Sequence, residues 1–437
     1  MKLDRRQLLK STLGGLALRS VATGLPISML LNPRLGRAAP LDALAEGPGR
    51  MLIMFASKNG DPLNANVPGT YGPGAEEVAH SPDPSMAPTN LRLSGQRYTA
   101  AKPWADLPQN VLDRTVFFHH ATFTPVHQDQ GKVMRMMGAT DDDEMLVSIL
   151  ARSLGARQQT VQKLPLSLGA TSGTELLSAS GQVLANASPT SIRRALGGAQ
   201  GPLADAFSLR DRDIDKIYGL YKEHGTKQDL RLLDSWARSR DEVRTVSETL
   251  LARLDVIDGN DEDNQVTAAA VLAAMNITPV ITVHGDFGGD NHNDAELARE
   301  SAALVAGAAR MGRLMTELDT MRSDGVLRHE VLISTLNVFG RTLRKKGTAG
   351  RDHNRGHHVT VMMGDVLKGG VIGGIRREGN DYVCQSIDPA TGAAGGSIPY
   401  EDTLGSMGKT LTTALGIPQL EGDAAIEQGR PVEAAFA

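Results

Sequence analysis

Near the C-terminal end of this 437-residue chain, Gly340-Arg341-Thr342 is followed by Gly350-Arg351-Asp352-His353-Asn354-Arg355-Gly356-His357-His358. Three of the eleven histidines thus fall between positions 353 and 358. Carboxylates and neutral imidazoles are ligands for a divalent cation, and a guanidinium holds an oxyanion in a two-pronged fork. His and Asp clustered beside Arg therefore have the chemistry of a site for a metal and an anionic group. A solvated basic loop is the plainer reading of the same residues. The run just before, Val331-Leu332-Ile333-Ser334-Thr335-Leu336, reads as a buried strand, so the cluster lies past a strand's carboxyl end.

Two other strand ends carry similar residues. Arg50-Met51-Leu52-Ile53-Met54-Phe55-Ala56 is an apolar run that breaks at Asn59-Gly60-Asp61-Pro62, which puts Asp61 just beyond it. Pro279-Val280-Ile281-Thr282-Val283-His284 gives way to Gly285-Asp286-Phe287-Gly288-Gly289-Asp290-Asn291-His292. A long helix is predicted from about Asp294 to Arg322, then the strand at Val331 and another at Val359-Thr360-Val361-Met362-Met363. That alternation belongs to a parallel sheet covered by helices, in which ligands bind beyond the carboxyl ends of the strands. Convergence of Asp61, Asp290, His292, Asp352 and His353 there would build a mixed oxygen and nitrogen shell. Such a shell suits zinc or manganese better than magnesium or calcium.

The rest of the chain must position these loops. Thr115-Val116-Phe117-Phe118-His119-His120 reads as a further strand, and the Pro-, Gly- and Ser-rich stretch from Val67 to Pro108 as a surface excursion. His127 to Met137 has helical spacing, and Asp141-Asp142-Asp143-Glu144 puts acids where a helix N-terminus favours them. Helical periods dominate from about 140 to 276. The expected fold class is therefore α/β: a parallel-rich central sheet with helices on both faces, plus a mainly helical insertion, all within 40–437.

Composition narrows the function. At 41% hydrophobic and 22% charged residues the chain is that of a globular protein with a sizeable core. A net charge of −4, with Arg344-Lys345-Lys346 the one basic run, argues against a nucleic-acid partner. The single cysteine, Cys384, excludes an intrachain disulfide framework and a cysteine-based zinc site. Haem-attachment and iron–sulfur motifs and a convincing dinucleotide glycine pattern are missing, so a redox role has little behind it. The first 39 residues form a separate unit. Asp4-Arg5-Arg6-Gln7-Leu8-Leu9-Lys10 is close to the twin-arginine export consensus, and a moderately apolar stretch comes next, ending at Arg37-Ala38-Ala39. Arg19 and Pro26 interrupt that stretch, so no permanent transmembrane segment is expected. The implied partner is the twin-arginine export machinery, and the implied destination is the periplasm or the cell surface.

Taken together, these motifs resemble the exported bacterial proteins grouped as domain of unknown function 1501, a distant branch of the alkaline phosphatase and sulfatase superfamily. The resemblance rests on Asn59-Gly60-Asp61 with Asn64, Gly289-Asp290-Asn291-His292, Phe339-Gly340-Arg341-Thr342 and Gly350-Arg351-Asp352-His353, in family order along most of the chain. It implies a metal held by Asp61, Asp290, His292, Asp352 and His353. Two departures stand out. Asn337-Val338 occupies the place of an acid, and Val126, in Thr124-Pro125-Val126-His127, that of a serine preceding a helix where the superfamily keeps its nucleophile.

The residues admit two functions. One is a hydrolase of a small anionic ester, phosphate or sulfate, with Arg341 and Arg351 clamping the anion and His127 as general acid or oxyanion donor. Its nucleophile would be Thr124, Thr122 or a polarised water. The other is a non-catalytic protein that keeps the fold and a remnant ion site and binds an envelope component.

Overall fold

The computed structural model describes residues 49–158, 160, 163–169, 185–196 and 249–437. The expected twin-arginine signal, residues 1–39, and much of the interior of the expected insertion lie outside those residues. Among the described residues, no helix is long and apolar enough to cross a membrane.

Among the described residues fourteen strands occur: β1 Arg50–Ala56, β2 Pro88–Leu93, β3 Gln96–Ala101, β4 Thr115–His120, β5 Leu166–Ser167, β6 Ala185–Asn186 and β7 Val280–His284. The chain continues with β8 Glu330–Thr335, β9 Gly340–Arg341, β10 His353–Asn354, β11 His358–Met363, β12 Gly370–Ile372, β13 Ile375–Glu378 and β14 Asp381–Cys384. Eight of them form the central sheet, in the order β12-β4-β11-β8-β1-β7-β5-β6. Four helices cover its faces: α1 Leu146–Gln158, α2 Glu262–Ala274, α3 Ala298–Ser323 and α4 Thr403–Ala414.

β1 shows why the sheet lies inside. It pairs in parallel with β7 on one side and β8 on the other. Side chains alternate across a strand, so an apolar residue at every position requires cover on both faces. Met51, Ile53 and Phe55 join a core with Leu304, Met311 and Leu318 of α3 and Leu272 of α2. Leu52 and Met54 point the other way, into a core with Leu150 and Leu154 of α1 and Met407 and Leu411 of α4. Each such fully buried aliphatic side chain contributes about 1.5–3 kcal/mol. The class is α/β, with helices on both faces of a mostly parallel sheet.

Three expectations need correcting. The strand at Val359–Met363 runs antiparallel to both its neighbours, β4 and β8. A parallel return needs a crossover helix, and the chain between Thr335 and His358 is spent instead on the short β9–β10 hairpin. The stretch around 140–276 also contributes β5 and β6 to the sheet, paired in parallel with each other and, through β5, with β7. Two-residue strands are too short to leave a period in the sequence. The helical spacing from His127 to Met137 does not yield one helix either. A helix at Gln130–Met134 is flanked by tighter turns, with Met136 and Met137 at φ 51° and 55°.

Candidate functional site

The carboxyl ends of β1, β7 and β8 open on one edge of the sheet, because the three run parallel. β4 shares their direction, since β11 is antiparallel to both β4 and β8. The loops after these four strands carry Asp61, His127, Asp290 and His292, and Arg341. The β9–β10 hairpin adds the last member by setting His353 opposite Arg341.

Among the described residues two groups there could hold a cation: His127, Asp290 and His353, and His292, Asp352 and His353, with the candidate ligand atoms of each group within 4.8 Å of one another. Hydrogen bonds decide which imidazole nitrogen faces inward. His353 Nδ1 lies 2.5 Å from the Pro125 carbonyl and His127 Nδ1 lies 2.8 Å from the Lys58 carbonyl. A carbonyl only accepts, so each Nδ1 carries the proton and each Nε2 keeps its lone pair for the site. His292 Nε2 stands 2.9 Å from His353 Nε2 and 3.2 Å from Asp290 Oδ1. Metal–nitrogen bonds of about 2.0–2.1 Å in a tetrahedron place ligand atoms about 3.3 Å apart, close to these separations. Behind His292, Asp352 Oδ1 is 3.6 Å from Nδ1. A carboxylate or carbonyl at the outer nitrogen is what a metal-bound imidazole requires. Lys346, 2.9 Å from Asp352, is the main cause holding that carboxyl below the usual range. Burial lowers the His353 imidazole, with Arg341 adding to the effect. The donor set therefore fits a divalent cation of the zinc or manganese kind.

Phe339 forms the floor. The His353 ring stacks on it at 4.3 Å between centroids, His127 meets it edge-on at 4.9 Å, and the Arg341 guanidinium lies 5.4 Å from its centroid. The ring is fully buried. Gly60, at φ +65°, lets the β1 loop pass over it, since a Cβ there would come within 2.2 Å of the ring.

Arg341 reaches the same space. Its Nη1 is 3.2 Å from Asp290 Oδ1 and 3.3 Å from His292 Nε2, while Nη2 donates to the Asn59 carbonyl at 2.6 Å. Arg351 does not. It is fully buried, and its five N–H groups meet five acceptors. Nε and Nη2 fork onto Glu300 at 2.7 and 3.0 Å, Nη1 donates to the Thr342 and Leu343 carbonyls, and Nη2 also donates to that of Ala79. No donor is left for a ligand, so the expected second clamp is instead an internal brace.

Two more expectations change with the geometry. Asp61 belongs to neither ligand group. It is fully buried, accepts from the Leu63 N–H at 3.1 Å and touches the Asn337 amide. Burial first, and Asp286 second, raise its carboxyl well above the ordinary value. Thr124 is no free nucleophile: its hydroxyl donates to Asp129 at 2.6 Å and accepts from the Val126 N–H. Thr122 is completely buried. The Val126 side chain is exposed.

Reading the sequence missed Glu300, which also receives Asn66 at 2.5 Å and Asn291 at 2.9 Å. Its signal was an acid in the first turn of the long helix after the Asp290–His292 loop. It missed Phe339 as a floor as well. Compared with known proteins, the chain matches no family model and no curated protein.

Proposed function

We propose that this chain is a metal-dependent hydrolase of phosphate or sulfate esters, built on the alkaline phosphatase and sulfatase fold and exported through the twin-arginine route. The observation that carries the reading is the convergence of His292 Nε2, His353 Nε2 and the Asp290 carboxylate beside the Arg341 guanidinium. His292, His353 and Asp290 would hold the cation, with Asp352 and the Pro125 carbonyl orienting the two imidazoles. Three protein ligands leave a position open, as in hydrolytic sites. A bound zinc or manganese would supply Lewis acidity, polarising the ester oxygen and a water.

The chain's own groups do the rest. Arg341 Nη1 faces the same space and would take one anionic oxygen of the substrate, meeting charge as it develops. Thr124 is committed and Val126 is inert, so the attacker is water. Its oxygen bonds to phosphorus or sulfur while the bond to the ester oxygen breaks. His127, its Nδ1–H held by the Lys58 carbonyl, takes the attacking water's proton on Nε2 and delivers it to the departing oxygen.

Metal analysis of the purified mature chain, with a screen of aryl phosphates, phosphodiesters and sulfate esters, tests this. Expected are one equivalent of metal and turnover that falls at least about a hundredfold in His353→Ala. Metal-free wild-type protein, or turnover indifferent to that substitution, would sink the hydrolase.

One observation favours a second reading. Arg341 Nη1 already sets a positive charge between Asp290 and His292. A non-catalytic protein that binds an anionic envelope component through Arg341, without any metal, would show anion affinity that survives chelation.

A further inference from the structure

Beneath Arg341 runs a hydrogen-bond chain that the hydrolytic steps do not use. Asn64 grips the Arg341 peptide on both sides: the Arg341 N–H donates to Asn64 Oδ1 at 3.0 Å, and Asn64 Nδ2 donates to the Arg341 carbonyl at 2.9 Å. A flipped amide would set like against like at both contacts, so the peptide itself fixes which way Asn64 points. Its Nδ2 also lies 3.1 Å from His357 Nδ1 and 3.2 Å from the His357 carbonyl, sharing its two hydrogens among three acceptors. A donor facing His357 Nδ1 requires a lone pair there, so the proton of that ring sits on Nε2. His357 Nε2 is 2.9 Å from His119 Nδ1, which must accept, and His119 Nε2 then donates to the Pro68 carbonyl at 2.9 Å. That carbonyl only accepts, so the far end of the chain demands the same polarity as the near end.

All three side chains are fully buried, and the two rings stack at 5.1 Å. Contact is close enough to need a glycine beside Arg341, because a Cβ on Gly340 would come within 2.2 Å of the His357 carbonyl and 2.8 Å of the Asn64 amide. Burial lowers both imidazoles, His119 to about 4, so both rings are neutral near pH 7, as the chain demands.

We infer that Asn64 is a positioning residue that sets the direction of Arg341 through its peptide, and that His119 and His357, both neutral with their proton on Nε2, hold Asn64 in place. The chain thus fixes how the site takes an oxyanion without touching the ion itself, an inference that rests on the hydrolase reading for the role of Arg341.

Nitrogen NMR of the imidazole side chains near neutral pH tests the chain in the unaltered protein. Both His119 and His357 are expected as Nε2–H tautomers. A proton on Nδ1 of either ring, or a doubly protonated ring, overturns the inference whatever the protein's activity. In zinc-loaded protein, Asn64→Ala is expected to weaken inorganic phosphate about tenfold, the equivalent of one or two lost hydrogen bonds, with bound zinc unchanged. Adding Asn64→Ala to Arg341→Gln should cost nothing further, since both act through one guanidinium. Independent, multiplying losses, or full phosphate affinity in Asn64→Ala, contradict the positioning role. Should Asn64→Ala fail to fold, Asn64→Ser, whose shorter side chain cannot hold both sides of the Arg341 peptide, is expected to weaken phosphate comparably; full phosphate affinity in that variant contradicts the positioning role. Wild-type protein that takes up neither zinc nor phosphate would defeat the hydrolase reading alone, leaving the tautomers to decide the chain.

Discussion

Arg341 and Arg351 sit in one short stretch of chain, and both side chains are fully buried. Every N–H of Arg351 has a protein acceptor, with Glu300 taking two of them. Arg341 has a fixed peptide and one firm side-chain bond, to the Asn59 carbonyl, while its Nη1 lies among the candidate metal ligands and its Nε has no partner among the described residues. The difference is saturation. A guanidinium with five acceptors holds loops together, whereas one with donors to spare is available to a ligand.

The sharpest way to break this contrast is to remove Arg351. Arg351→Ala leaves Glu300 charged and unpaired in the interior, which costs about 3–5 kcal/mol. Urea unfolding should register that loss, and a change under about 1 kcal/mol would mean the brace is not structural. Arg341→Gln is expected to do the reverse. Turnover should drop by about two to three orders of magnitude, as for loss of a preorganised donor to the reacting oxygen, while folding stability falls much less than in Arg351→Ala. Equal stability losses in the two variants would erase the distinction.

The smallest expected effect concerns the support under Arg341. Burial holds the His119 imidazole at about 4, below its ordinary value near 6.5. The unfolded chain therefore takes up a proton there as pH falls below about 6.5, and the folded chain does not until about pH 4. More protons on the unfolded state mean that stability declines as pH drops through that window. Each pH unit costs about 1.4 kcal/mol for such a group at most, and His120 is lowered in the same way. Stability measured in urea from pH 7 to pH 5 should slope downward on acidification, and His119→Gln should flatten that slope. An unchanged slope in the variant would show that His119 titrates normally.

Much of the frame was legible in the sequence for local reasons. Strand β1 is apolar at every position past Arg50 because both its faces are covered, and a stop at Asn59-Gly60 ends it visibly. Helix α3 spans Ala298–Ser323, close to the expected Asp294 to Arg322, because a long periodic run needs no distant partner to declare itself. The approach of His292 to both Asp290 and His353 comes from strand ends that open on one edge. The role of Arg351 was not legible. Its partner Glu300 is 51 positions away, and no local pattern tells which way a long side chain turns. Asp61 misled for a related reason. Its place after β1 was right, yet a cap to Leu63 and contact with Asn337 turn it inward. The direction of β11 was equally hidden, since an apolar run reads the same either way along the sheet.

Phe339 has a consequence for how this protein can change over generations. His127, His353 and Arg341 share that one ring as a common support. A substitution there disturbs three chemically different side chains at once, and none of them can be refitted separately while the others stay in use. A change at Phe339 therefore disturbs the cluster as a block, whereas the exposed Val126 side chain lies outside that shared support.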